Sequence, residues 1–473
     1  MAPSFFSSVG FCVIGSITLA LALPPTEPPL INNHPFVAIW NAPVEHCKRL
    51  HIPLDTAAFQ SVTTPAAVPG QFLTTFYEDR LGLYPRADSV KHKLYSGGVP
   101  QNGNLTEHLA RAQKQIDHYI SQDSSPGLAV IDWESWRPLW DQNWGSKRIY
   151  QKLSISRTLQ MLPFLSLKQI LKLAKKQFQR AGRHFMEKTI SLGTGERPNH
   201  RWGFYLFPDC YNYGWNKLGY TGECSHKTHK QNNQMLWLWE RSTALFPSVY
   251  LHQNLRNSPR AALFVRNRVL EALRVAALPK RPYVMPVYVY CRPLYRDQTK
   301  KDLISTIGES AALGASGVII WGGSRDYNNK SSSSFGHKHS LSNISTLNPY
   351  IANVTAAAKL CSEVLCQGKG RCVRKSNNSR HYLHLNPTHF HIIRADRKYA
   401  AIGLPSADDL SAWAENFTCQ CYARRNCSPK LKLMLVKAWL CKLLVLLVLA
   451  LELTFVFVNR FPGPVPNHEP WIP

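Results

Sequence analysis

Acidic residues are scarce. The 473-residue chain carries 29 Asp and Glu against 56 Lys and Arg, a net charge of +27. A chain this basic points to an anionic partner: nucleic acid, an acidic membrane face or an acidic polysaccharide. The chain has no glycine-rich phosphate loop and no cluster with metal-ligand spacing, so no cofactor is expected. Charged residues make up only 18% and hydrophobic residues 44%, which excludes a disordered or collagen-like chain. The length suits one large catalytic domain plus a small module.

No Lys or Arg precedes the first apolar run, Val9 to Leu23, which Pro24-Pro25 breaks. The run still has the form of a secretory signal over residues 1–23; the alternative is a buried first helix. Asn-x-Ser/Thr sequons follow at Asn104, Asn329, Asn343, Asn353, Asn377, Asn416 and Asn426. With the leader they suit glycosylation in the secretory pathway, and an exported chain would not normally meet nucleic acid. Near the other end, 431–458 is long and apolar enough to cross a bilayer, which takes roughly 20 residues. Lys437, Lys442 and Glu452 count against a clean span. The polar tail 459–473 follows the apolar stretch, which favours a membrane anchor over a cleaved lipid-anchor signal. A buried amphipathic helix is the alternative. The expected place is the cell surface, or else secretion.

Cys12 and Cys441 lie in these terminal runs, leaving ten of the 12 cysteines. Cys210 and Cys224 bracket a Tyr/Gly-rich loop and could pair. Cys361, Cys366, Cys372, Cys419, Cys421 and Cys427 cluster late in the pattern of an epidermal-growth-factor-type knot split by an insertion. Zinc ligation is the rival reading, and export favours disulfides. Cys47 and Cys291 have no obvious partners.

Apolar runs at Phe36–Trp40, Leu73–Tyr77, Leu128–Trp133, Trp202–Phe207, Ser248–Leu251, Val284–Tyr290 and Gly317–Trp321 alternate with amphipathic stretches. Asn104–Ile120 is one such stretch, with Asn104 as N-cap and Glu107 three residues on. About seven repeats of this alternation predict an α/β fold, a parallel (β/α) barrel, with its chemistry at the strands' C-terminal ends. Those ends carry Asn41, Tyr77, Asp132, Tyr205, Asp209, Tyr250 and Trp321. Sugar rings stack on aromatic faces, so this rim suits a saccharide. After Trp321 a polar, Ser-rich stretch reads as an exposed loop, and Asn348 to Leu360 as a helix.

The sharpest signal is Gly127-Leu-Ala-Val-Ile-Asp132-Trp-Glu134-Ser-Trp-Arg137. Strand alternation puts Asp132 and Glu134 on one side. Two acids side by side in a partly dry mouth do not both ionise easily, so one pKa rises and supplies a proton donor. Glycoside cleavage requires such a pair. Arg137 and Arg268 could grip the carboxylates of an acidic polymer.

The segments FVAIWNAP, FYEDRLGLYP, GLAVIDWESWRPLWDQNW, WGFYLFPDCYNY, WLWERSTALFPSVY, VRNRVLEALRVA and GESAALGASGVIIWG resemble, in order, the hyaluronidases of glycoside hydrolase family 56. The resemblance is especially to the membrane-attached sperm branch, which implies the sperm surface or acrosome as the place. The resemblance implies a distorted TIM-like barrel over 33–347, and a helix with a disulfide-rich EGF-like module over 348–429. It implies the pairs Cys361–Cys372, Cys366–Cys419 and Cys421–Cys427 beside Cys210–Cys224. The implied reaction is endohydrolysis of β-1,4 bonds in hyaluronan or a related anionic glycosaminoglycan such as chondroitin, with the substrate's own N-acetyl oxygen as nucleophile. Glu134 is then general acid and base, with Asp132 and Tyr205 steadying the acetamido group. Tyr77, Tyr250, Arg268, Asp297 and Trp321 match groove positions. The resemblance also exposes a departure. Family members tie the first βα region, where Cys47 stands, to a cysteine after the seventh strand. No cysteine follows Trp321 there, and a lost bridge typically costs about 2–5 kcal/mol. The alternative function is therefore an impaired relative that binds hyaluronan as an adhesion protein. The sequence leaves the oligomeric state unspecified.

Overall fold

The computed structural model describes residues 23–429 apart from 50, 52–53, 89, 293–298, 324–329 and 397; the side chains of 46, 47 and 330–345 are likewise not described. The expected signal (all but Leu23 of 1–23), the membrane segment 431–458, the tail 459–473 and Asp297 lie outside the described residues. Among the described residues no helix is long and apolar enough to cross a membrane.

Seven parallel strands among the described residues form the framework. They are β1 (Val37–Asn41), β2 (Ser61–Thr63), β3 (Leu73–Tyr77), β4 (Gly127–Asp132), β5 (His200–Phe204), β6 (Tyr288–Cys291) and β7 (Gly317–Trp321). Their order is β2-β1-β7-β6 in one sheet and β3-β4-β5 in another. The segment 245–248 links the two through isolated parallel bridges, Tyr205 with Phe246, Leu245 with Val287 and Ser248 with Tyr290.

Here the structure corrects the expected run Ser248–Leu251, which is not a strand. Pro247 is the physical reason. It has no N–H to give a ladder, and only its carbonyl takes part, accepting from the Tyr290 N–H at 2.9 Å.

Side chains alternate across the strands as their period of two requires. Val37, Ile39, Leu73, Leu128, Val130, Phe246, Tyr288, Tyr290 and Ile319 meet in one buried cluster. Ala38, Trp40, Ala129 and Ile131 face a second cluster shared with the helices. Burial on both faces explains the continuous apolar runs.

The first long helix, α1 (Leu105–Tyr119), starts where Asn104 caps it, its side chain accepting from the Glu107 N–H. In α2 (Leu167–Glu196) Ser166 and Gln169 close a capping box, and Ile170, Ala174, Phe178, Phe185 and Ile190 line the buried face. Next come α3 (Pro259–Ala276) and α4 (Lys330–Cys366). The helix α4 overturns the loop expected after Trp321: from Lys330 the Ser-rich stretch is helical, and the expected 347/348 boundary falls inside it. Ile351, Val354 and Leu365 bury its later turns. Extending such an anchored helix costs far less than nucleating one, so weak helix formers follow.

After α4, β8 (Gly370–Arg374) pairs antiparallel with β9 (Phe417–Cys421), and a hairpin of Phe390–Ala395 with Lys398–Gly403 lies between them in sequence. Disulfides join Cys361–Cys372, Cys366–Cys419 and Cys421–Cys427 here, and Cys210–Cys224 elsewhere. Glu309 fastens this region to the strand framework: fully buried, it takes Arg266 at 2.7 Å and Arg374 at 2.5 Å.

Cys291 does not stand in for the missing bridge partner. It is a free, buried thiol. Burial pushes its pKa up to about 12, which leaves it chemically inert at neutral pH. The Asn353 amide is committed to the backbone of Leu385, accepting from its N–H at 3.1 Å, in a partly buried position.

Candidate active site

The parallel register brings the strands' C-terminal residues level. Tyr77 stands opposite Asp132, and Asn41 opposite Trp321. Asn41 is fully buried and its amide donates to the Thr75 hydroxyl at 3.3 Å, tying β1 to β3. Trp321 Nε1 donates to the Tyr77 hydroxyl at 3.1 Å. Trp321 also stacks on Tyr250, with ring centroids 6.0 Å apart and 19° between planes. Tyr205 sits 6.3 Å from Tyr250 and meets Tyr290 edge-on at 5.0 Å. Thus Tyr77, Tyr205, Tyr250 and Trp321 form one aromatic wall.

The acid pair opens onto this wall. Asp132 Oδ1 is sealed from solvent and has no hydrogen-bond partner. Burial, with the charges of Glu134 and then Glu78 adding to it, raises the Asp132 pKa well above the ordinary carboxylate range. The Glu134 side chain, in contrast, is half exposed. The expectation of one raised pKa therefore falls on the buried aspartate. Burial, then the charge of Glu134, also raises the Tyr205 hydroxyl. Burial lifts Tyr77 to about 12, Asp132 adding to it.

Two basic residues, Arg137 and Lys147, stand beside Glu134. Arg137 is nearly buried; its guanidinium lies 3.8 Å from the Glu134 carboxylate and donates to the Glu134 carbonyl at 3.1 Å. Lys147 donates to the same carbonyl. Burial, then Arg137, lowers the Lys147 pKa to about 8. Sequence reasoning missed Lys147, since 13 residues separate it from Glu134 and no pattern links them.

Both arginines expected to grip substrate are instead buried. Arg137 is held to Glu134. Arg268 on α3 is 4% exposed, pairs with Asp209 at 3.1 Å, and bonds Asn212 and the Ser248 carbonyl at 2.9 Å each. A desolvated guanidinium needs such partners. Arg268 thus fixes the loop after Tyr205 and the segment before Tyr250 from beneath.

Glu271 with His229 and Cys224 groups three metal-type ligands. Cys224 is spent in its disulfide and Glu271 is held by Arg274 at 2.8 Å, so the cluster is structural.

Residues 25–431 match the glycoside hydrolase family 56 profile, described as hyaluronidase. The chain is 46% identical over 414 residues to mouse (Mus musculus) Hyaluronidase-5, covering 85% of this chain and 77% of that one. It is 45% identical over 425 residues to human (Homo sapiens) Hyaluronidase PH-20, covering 88% and 82%. Bee venom hyaluronidase, solved in complex with a hyaluronic acid tetramer, superposes with a TM-score of 0.58 at 33% identity, covering 67% of this chain and 98% of that one. The chain belongs to the hyaluronidase family, enzymes that hydrolyse hyaluronan.

Proposed function

We propose that the acid pair cleaves the β-1,4 bonds of hyaluronan by substrate-assisted, retaining catalysis. The observation that carries this reading is the buried, unpartnered Asp132 Oδ1 beside the half-exposed Glu134 at an aromatic mouth. Glu134, which a polymer can reach, gives its proton to the leaving glycosidic oxygen. The acetamido carbonyl oxygen of the N-acetylglucosamine attacks that sugar's own C1 as the bond from C1 to the leaving oxygen breaks, forming a cyclic intermediate. Asp132, kept neutral by burial, orients and polarises that acetamido group, with the Tyr205 hydroxyl beside it. Water then opens the ring as Glu134 takes back a proton, which restores the starting configuration. Tyr77, Tyr250 and Trp321 line the sugar groove.

The strands are read as a distorted TIM-like barrel. The single interior cluster drawn from β1, β3, β4, β6 and β7, and the Asn41–Thr75 bond between β1 and β3, support closure. The three late disulfides around β8 and β9 support an EGF-like module, and four disulfides suit an oxidising, secretory route. We read the protein as exported and membrane-attached through 431–458. The adhesion alternative rests on the missing cysteine after Trp321; the bonded aromatic wall and the acid pair favour cleavage.

Release of new reducing ends from hyaluronan by the purified full chain tests the reading. Even-numbered oligosaccharides ending in N-acetylglucosamine are expected. Binding without cleavage at any pH would favour the adhesion alternative.

A further inference from the structure

A groove of about 610 Å³ runs along the outer face of α2, and neither acid of the pair lines it. Its apolar walls are Pro138, Leu139 and Trp237, and its cations include Lys176, Arg180 and Arg183. Arg183 is fixed over the Trp237 ring at 5.4 Å and pairs with Glu187 at 3.0 Å. Lys175 is taken by Asp141 at 3.0 Å. Among the described residues no carboxylate pairs with Lys176 or Arg180, and both are exposed.

The charge on this helix is lopsided. From Leu167 to Met186, α2 has no acid, and Lys168, Lys172, Lys176 and Arg180 recur every four residues along one inclined ridge. Like charges at that spacing repel by about 0.2–0.5 kcal/mol per pair, and Lys168 opposes the positive N-terminal end of the helix dipole. A bound polyanion offsets these costs and releases counterions.

We propose that this groove is a second binding site for an anionic glycosaminoglycan chain, holding substrate polymer outside the cleavage cleft. Pro138 and Leu139 continue the segment that carries Glu134 and Arg137, so the groove adjoins the acid pair along the chain. Carboxylates spaced along a polysaccharide meet Lys176, Arg180 and Arg183, and the apolar walls take sugar faces. The inference rests on the hyaluronan reading above for the identity of the polymer.

The test uses the full chain and K176E/R180E/R183E, with R111E/K114E/K280E as an equal charge change on exposed residues elsewhere. On high-mass hyaluronan the groove variant is expected to raise KM at least fivefold and flatten its salt dependence, with kcat and cleavage of a short hyaluronan oligosaccharide within twofold of wild type. The control variant is expected to shift KM less than twofold. Equal KM in the groove variant and wild type, or equal losses in both variants, would overturn the proposal. Retention of each chain on immobilised hyaluronan needs no cleavage. An inactive wild type whose retention drops only in the groove variant would fail the catalytic reading and keep the groove. Loss of binding to phosphatidylserine vesicles with hyaluronan retention unchanged would overturn the assigned ligand.

Discussion

The indole N–H of Trp321 donates to the hydroxyl of Tyr77 at 3.1 Å, joining the ends of β7 and β3, strands that do not pair with each other. This bond sets one side of the mouth and holds Trp321 flat against Tyr250. Removing the acceptor with Tyr77→Phe leaves the indole N–H without it and lets the ring turn. KM for hyaluronan is expected to rise about three- to tenfold, in line with one lost hydrogen bond of about 1 kcal/mol, with kcat changed less. Steady-state kinetics check this; an unchanged KM would show that the bond does not shape the groove.

Asp132 predicts a pH signature in stability. Its pKa is raised in the folded chain, by burial first, and near 3.9 when unfolded. Below the unfolded value both states are protonated and no cost arises. As pH rises past it, the unfolded state ionises while the folded state holds its proton, so stability falls. Asp132→Asn removes that cost. The variant is expected to melt a few degrees higher than wild type at pH 7 and at the same temperature near pH 3, with activity down at least a hundredfold. Calorimetry across pH decides; a lower Tm at pH 7 would contradict the buried neutral acid.

Arg268 separates a supporting role from a gripping one. Removing one partner of a buried pair costs about 3–5 kcal/mol, so Arg268→Ala is expected to lower Tm markedly and leave Asp209 uncompensated. The double change R268M/D209L removes both charges and should recover most of the loss. If Arg268→Ala instead kept Tm and raised only KM, the arginine would be a substrate contact.

Cys291 should resist thiol reagents in the native chain at pH 8, because burial pushes its pKa to about 12. Labelling by an aromatic disulfide, counted at that residue by peptide mass, is expected only after denaturant is added. Rapid native labelling would mean that β6 opens readily.

Local pattern carried much of this. The apolar runs reported strands because both faces of a parallel sheet are buried, and Asn104 with Glu107 marked a helix start because its cap is a contact three residues long. Asp132 and Glu134 were legible as a pair for the same reason. What the sequence hid was depth. Arg137 and Arg268 read as surface cations, since nothing local says that Glu134 and Asp209 lie against them. Nor does a local pattern tell which member of the acid pair is sealed. Pro247 was visible, yet the apolar residues after it outweighed it. The Ser-rich start of α4 follows from packing near Ile351, far along the helix. The groove on α2 needed Pro138 and Trp237, which arrive from other parts of the chain.

The most direct test of the account replaces Glu134 with Gln, keeping size and hydrogen bonding while removing the transferable proton. Hyaluronan cleavage measured by reducing ends is expected to fall at least a thousandfold, with Tm and hyaluronan retention close to wild type. A Glu134→Gln chain that cleaves hyaluronan at the wild-type rate would contradict the assignment of the glutamate as the proton donor.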